Sequence, residues 1–241
     1  MDLARKTGAI VVASGETDYI ADGIRLYEVK GGTAWMSRVT GTGCMLSSLL
    51  GAFLAVENSA LSVAACCAMM NACAEKALED LAPCEMYTAI AETEGIAFVK
   101  HYLMNDGSYC GDNYGSSASG YKAHESEADN DLQMVKFVRE GQKTVKGKDA
   151  KDILMCNFQG HPHMGTTSAQ TDIHSDWPGV MRDIVSEKLD VNCLYFSGAG
   201  GNMNSSSANK EHNVSTDWKH HGQRAAKYVM DAEESYTKVN A

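Results

Sequence analysis

The chain has 241 residues, 44% of them hydrophobic, a net charge of -10 and a pI of about 5.2. That length supports one sizeable core or two small ones, and the acidic balance excludes a general binder of nucleic acid or anionic membrane. The eight cysteines contain no Cys-x-x-Cys pair, which removes a zinc ribbon and leaves reduced, buried thiols as the expectation.

Ala9 to Ser14 is a short β-branched run closed by Gly15, and it reads as a buried strand. Glu16, Thr17 and Asp18 follow, where a parallel strand would open onto a site. Tyr19-Ile20 and the run Ile24 to Val29 flank Asp22-Gly23, the signature of a hairpin. Gly31-Gly32 breaks the chain, and Ala34 to Val39 is expected as a third strand.

That strand delivers Val39-Thr40-Gly41-Thr42-Gly43-Cys44 to an apolar run beginning at Met45. Glycines and threonines at the mouth of a helix expose unpaired N–H groups and a positive dipole end, which favours anions. Cys44 falls in the first turn, where that field favours a thiolate. Two helices are expected, over 44–56 and 60–81, the second stopped by Pro83. Cys66, Cys67 and Cys73 are read as packing within it. Its longest small-apolar run, Ser62 to Ala74, is too short to span a bilayer and contains Asn71. The N-terminus makes a poor signal peptide, so cytoplasm is the expected location.

Ser14-Gly15-Glu16-Thr17-Asp18-Tyr19-Ile20-Ala21-Asp22-Gly23, then Thr40-Gly41-Thr42-Gly43-Cys44, then the Ala/Cys helix, closely resemble the C-terminal part of hydroxyethylthiazole kinase. The resemblance covers about residues 1–82. It implies a partial ribokinase-like α/β segment and ATP-dependent phosphorylation of a small-molecule thiazole alcohol in thiamine salvage, with Mg2+. It places Ser14 against ATP and Gly41 against the thiazole. Cys44 stands where related kinases carry a catalytic aspartate. Gly41, Thr42 and Gly43 would form the anion hole for the transferring phosphoryl group, in keeping with chemistry that is mostly positioning and electrostatic stabilisation. The family's trimers imply a homo-oligomer. Its N-terminal half has no counterpart in this chain, nor have the acidic residues that organise magnesium there.

The stretch 83–93 is read as a junction. Beyond it, 95–104 is expected as a strand, Asn105-Asp106-Gly107 as a turn, 111–120 as a loop and 128–140 as a helix. Asp152 to Phe158 is a buried-strand pattern leading into Gln159-Gly160-His161-Pro162-His163. Extended geometry would put His161 and His163 on one face, with Asp172, His174 and Asp176 following, a donor set that suits zinc. A helix is expected over 180–189 with Asp176 as cap, a strand over 191–196, and a last helix over 217–236 capped by Thr216.

Asp106 to Gly115, His124 to Asp129, Asn157 to His163, Ser175 to Gly179 and Gly198 to Asn204 resemble the neutral ceramidase family. Residues 94–241 are accordingly expected as a second α/β segment of ceramidase-like type. That resemblance implies a zinc amidohydrolase with His161 as a Zn2+ ligand. The family's reactive serine falls at Asn204, and an amide cannot serve as that nucleophile. The expectation is therefore two partial enzymes in one chain, with kinase-like chemistry first, the zinc hydrolase as alternative, and a non-catalytic chimeric fragment as the third reading.

Overall fold

The computed structural model describes residues 1–111, 120–165, 174–205 and 217–240. Its chain divides into two units: Met1–Ala82 with Lys143–Lys148, and Pro83–Gln142 with Asp149–Ala241.

In the first unit, helix α1 (Asp2–Thr7) precedes strands β1 (Val11–Ala13), β2 (Thr17–Ala21) and β3 (Leu26–Lys30). They form one antiparallel sheet in the order β1-β2-β3. The Asp22-Gly23 turn forms as predicted. The Asp22 carboxylate accepts the N–H groups of Ile24 at 2.8 Å and Arg25 at 2.6 Å, an Asx turn that fixes the register of β2 on β3. The parallel strand expected before Glu16 is instead antiparallel to the next.

Residues Ala34–Arg38, expected as a strand, form a 3-10 helix. The Thr33 hydroxyl caps it by accepting the Trp35 N–H at 3.2 Å, and Ser37 donates to the Ala34 carbonyl at 2.7 Å. Local side-chain hydrogen bonds thus hold this stretch in a helical turn in place of an extended conformation. Helix α2 (Thr42–Val56) and helix α3 (Ala60–Glu79) follow. Ser59 caps α3 by accepting the Ser62 N–H at 3.1 Å.

Leu46, Leu50 and Leu54 recur every four residues on α2 and pack against a cluster of Ile20, Ala60, Val63, Ala64 and Cys67. No residue of α2 is buried, and Met45 and Val56 stand exposed on its other side. By length and composition α3 is the one described helix apolar enough to cross a membrane, contrary to the expectation from the sequence. It packs as a core helix, burying Val63, Ala64, Cys66, Cys67 and Met70, and it carries Asn71 into a hydrogen bond with Asp18 of β2 and Glu75 into one with the loop residue Gly32.

The second unit is built on a five-stranded sheet. Its strands are β4 (Glu85–Glu92), β9 (Asp131–Val138), β10 (Ile153–Phe158), β11 (Asn192–Ser197) and β13 (Thr237–Lys238), in the order β11-β10-β9-β4-β13. Only β10 and β11 run parallel, joined through helix α4 (Asp176–Lys188). Short strands β5 (Phe98–Val99), β6 (Tyr102–Met104), β7 (Tyr109–Cys110), β8 (Tyr121–His124) and β12 (Met203–Asn204) make two smaller sheets. Helix α5 (Trp218–Asp231) packs on α4. Trp177, Phe158, Leu132, Leu154, Met181, Val185 and Val229 are fully buried between the helices and the sheet.

Three expectations fail in this unit. The stretch 83–93 is no junction, because it contains β4, which is hydrogen-bonded on both sides. The helix expected over 128–140 is strand β9, whose buried Leu132 and Met134 alternate with exposed Gln133. The last helix ends at Asp231 and is capped by Asp217, which accepts the Lys219 N–H at 2.9 Å. Thr216, expected as that cap, lies outside the described residues.

Candidate functional site

A cleft of about 830 Å³ opens in the first unit, between the turn after β1, the glycines after β3 and the start of α2. Ser14, Thr42 and Gly43 line it together, so three of the predicted nucleotide-side residues converge although 28 positions separate Ser14 from Thr42. Gly41 and Cys44 belong to the same helix start but do not line the cleft. Cys44 is exposed.

Gly41 is the N-cap of α2, with φ 96° and no side chain to cap the helix. The left-handed backbone there is a conformation glycine adopts at no steric cost. The Met45 N–H closes the first turn on the Gly41 carbonyl at 2.9 Å. Ahead of it, the N–H groups of Thr42, Gly43 and Cys44 have no partner among the described residues. The Thr42 hydroxyl donates to the Met36 carbonyl at 3.3 Å, which ties the helix start to the 3-10 helix. A Cβ built on Gly43 would meet nothing within 4 Å. Three unpaired donors, a positive dipole end and open space are what a phosphate oxygen needs. Lys30 lines the same cleft and supplies a cation.

The opposite wall carries Glu16 and Asp18. Asp18 is 5% exposed. Its carboxylate accepts the Gly15 N–H at 3.2 Å and the Asn71 side-chain amide at 3.1 Å. Cys67, one helical turn before Asn71, also lines the cleft. Burial, then the negative charge of Asp18 and the neighbouring Cys66, push its thiol up to about 11. Cys67 is therefore a neutral wall residue at physiological pH. Asp18 and Asn71 lie 53 residues apart, beyond the reach of any local pattern.

His161 lies in the second unit. Its ring meets that of His163 edge-on at 4.9 Å, so the two histidines do come together as expected. The other expected ligands do not join them. His174 stacks on Trp218 at 4.7 Å and accepts the Asp176 N–H at 3.1 Å. The Asp176 carboxylate is taken up by the N–H groups of Gly165 at 2.6 Å and Trp177 at 2.7 Å. Asp172 lies outside the described residues. Among the described residues no three His, Cys, Asp or Glu side chains are grouped to hold a metal ion, so the Zn2+ expectation at His161 finds no support. Ser205, beside Asn204, is buried and donates to the His161 carbonyl at 2.8 Å, a structural bond rather than an activated hydroxyl.

Comparison with known proteins falls on the N-terminal part of the chain. A model of the Hydroxyethylthiazole kinase family matches residues 1–89. The chain is 49% identical over 77 residues to a hydroxyethylthiazole kinase of Cronobacter sakazakii, covering 32% of this chain and 29% of that protein. It is 41% identical over 103 residues to one of Shigella sonnei, covering 42% of this chain and 35% of that protein. A hydroxyethylthiazole kinase of Escherichia coli O127:H6 matches to the same extent. The chain thus spans about a third of the length of these curated relatives. The family match runs into β4, seven residues past the stretch read from the motifs. The ceramidase-like reading of the second unit gains no support from these matches.

Proposed function

We propose that the first unit carries the phosphate-binding part of a thiazole-alcohol kinase, binding ATP and placing its terminal phosphate at the start of α2. The observation that carries this reading is the uncapped helix start. Thr42, Gly43 and Cys44 present free N–H groups beside an open cleft whose other wall holds Ser14.

The residues have distinct tasks in this reading. The Thr42 and Gly43 amides hold the phosphoryl oxygens and stabilise the charge that spreads over them during transfer. Lys30 neutralises part of the same charge. Ser14 faces the nucleotide from the β1 end, and Gly41 leaves room for the thiazole alcohol. By the resemblance Cys44 corresponds to the residue that would take the alcohol's proton, although it stands beside the cleft and does not line it. Magnesium would neutralise the phosphate oxygens. Glu16 is the cleft carboxylate free to hold it, because Asp18 is already engaged by Gly15 and Asn71.

Calorimetric titration of the full chain with ATP and magnesium tests the reading. Binding with a Kd of about 1 mM or tighter is expected, and Gly43→Leu should weaken it about tenfold or more. Because a Cβ at position 43 would meet nothing within 4 Å, the variant should fold while its leucine occupies the approach to the amides. No binding by the unsubstituted chain at millimolar ATP overturns the proposal.

A further inference from the structure

The lips of the cleft are not held by the sheet. Ser14, Gly15 and Glu16 lie between the end of β1 and the start of β2, and Gly31 and Gly32 lie beyond the end of β3. Their backbone donors find partners elsewhere. The Gly15 N–H goes to Asp18, whose other carboxylate oxygen takes the Asn71 amide. The Gly32 N–H goes to the Glu75 carboxylate at 2.8 Å.

Asn71 and Glu75 are one helical turn apart on the same edge of α3. A Cβ on Gly31 would stand 3.2 Å from the Glu75 carboxylate, and one on Gly32 would stand 2.8 Å from the Asn71 side-chain oxygen. The second lip therefore rests directly on both side chains, while Asp18 relays the first lip to Asn71. We infer that Asp18, Asn71 and Glu75 are the positioning residues of the cleft, a clamp on α3 that sets the distance between the Ser14-Gly15 lip and the Gly31-Gly32 lip and so admits the nucleotide.

Several observations beyond the hydrogen bonds agree. Asp18 is buried in a position where a carboxylate is costly unless fully engaged. It faces α3 closely enough for its charge to act on Cys67. Asn71 is the single amide in α3, within a stretch from Ala64 to Ala74 otherwise made of Ala, Cys and Met, and its amide is turned so that the N–H₂ group meets Asp18 and the oxygen meets the glycine lip. Burial of an apolar face alone would place Leu or Ala at position 71. The inference rests on the nucleotide reading given above, and the following experiment separates the two.

MgATP is titrated into the full chain and into Asp18→Asn, Asn71→Asp, the double variant Asp18→Asn with Asn71→Asp, and Glu75→Ala. Asp18→Asn and Asn71→Asp each break the carboxylate–amide pair, and each should weaken ATP binding about tenfold. The double variant restores the pair with its polarity reversed. The amide at position 18 then accepts from Gly15 and donates to the carboxylate at position 71, so affinity should return to within about threefold of the unsubstituted chain. Glu75→Ala, an exposed change, should weaken binding severalfold with little loss of thermal stability. A role in folding alone would lower melting temperature and leave the Kd of the folded single variants unchanged. Binding by the unsubstituted chain with unaltered Kd in Asp18→Asn and Asn71→Asp overturns the clamp and leaves the kinase reading intact. No binding by the unsubstituted chain overturns the reading itself. If a single variant does not fold, the double variant and Glu75→Ala decide: a double variant that fails to bind, or an unchanged Kd in Glu75→Ala, overturns the clamp.

Discussion

His221 should make the second unit acid-labile. The ring is 1% exposed, meets Trp177 edge-on at 5.3 Å, and leaves its Nε2 without a partner. Burial first, then the nearby Arg224 guanidinium, depress its pKa to about 4 from 6.5; the Asp176 charge and a hydrogen bond to the Ile96 backbone offset this only in part. Between about pH 6.5 and about 4 the unfolded chain therefore binds a proton that the folded chain refuses, so stability falls as pH falls through that window and is unaffected above it. A displacement of about 2.5 pKa units corresponds to about 3 kcal/mol, a large share of the stability of a domain this size. His221→Gln removes the titration while keeping an amide that can donate to the Ile96 carbonyl. Urea unfolding followed by circular dichroism at about pH 7, about pH 5 and about pH 4 should show the unsubstituted chain losing about 3 kcal/mol more than the variant over this range. Equal losses in the two proteins would refute the assignment of the acid sensitivity to His221.

Other outcomes follow from local geometry. Gly32→Ala should lower the melting temperature and cost about 1–2 kcal/mol, because φ is +80° there and the new Cβ would stand 2.8 Å from the Asn71 oxygen; an unchanged melting curve would contradict the backbone described. Ser59→Ala removes the cap of α3 and should cost about 1 kcal/mol, with Ser59→Asp close to the unsubstituted chain in the same thermal melt. Brief alkylation at neutral pH should label Cys44, Cys73 and Cys84, which are exposed. It should leave Cys66, Cys67, Cys156 and Cys193 unlabelled until the chain is unfolded, as peptide mass mapping would report.

What could be read from the residues was set by how local each determinant is. Asp22-Gly23 specifies its hairpin through bonds spanning two and three residues, and Ser59 announces α3 through a bond to Ser62. The strand β9 was hidden because its identity comes from pairing with β4 and β10, whereas Glu127 to Glu140 alone carries charges and apolar residues at helix-like intervals. Strand β4 was hidden for a similar reason: Met86, Thr88 and Ile90 alternate with Tyr87, Ala89 and Ala91, but a run apolar on both faces between two acidic ends offers weak contrast. In the cleft, Ser14, Thr42 and Gly43 were legible because two motifs fix their spacing. Asp18 and Asn71 were not, because an amide within a small-apolar helix gives no sign of which distant carboxylate it will meet. The histidines at 161 and 163 met as their spacing suggested. Their would-be zinc partners were diverted by backbone N–H groups and a tryptophan ring, competitors that a ligand pattern does not register.

The assignment of Lys143–Lys148 to the first unit gives the polypeptide an unusual itinerary. The chain leaves that unit at residue 82, returns at 143 after laying down β4 and β9, and leaves again at 148. The Val145 N–H bonds to the Leu81 carbonyl at 2.9 Å, and Lys146 pairs with Glu79 at 3.0 Å. Three covalent crossings join the units instead of one. A protease that nicks the backbone between 82 and 83 therefore does not part the units cleanly, since the fragment from 83 onward carries Lys143–Lys148 of the first unit with it and residues 1–82 stay attached through non-covalent contacts alone. Expression of residues 1–82 alone would likewise yield a unit stripped of the segment that covers the end of α3. A recombinant boundary has to be sought elsewhere, or the returning hexapeptide supplied in cis.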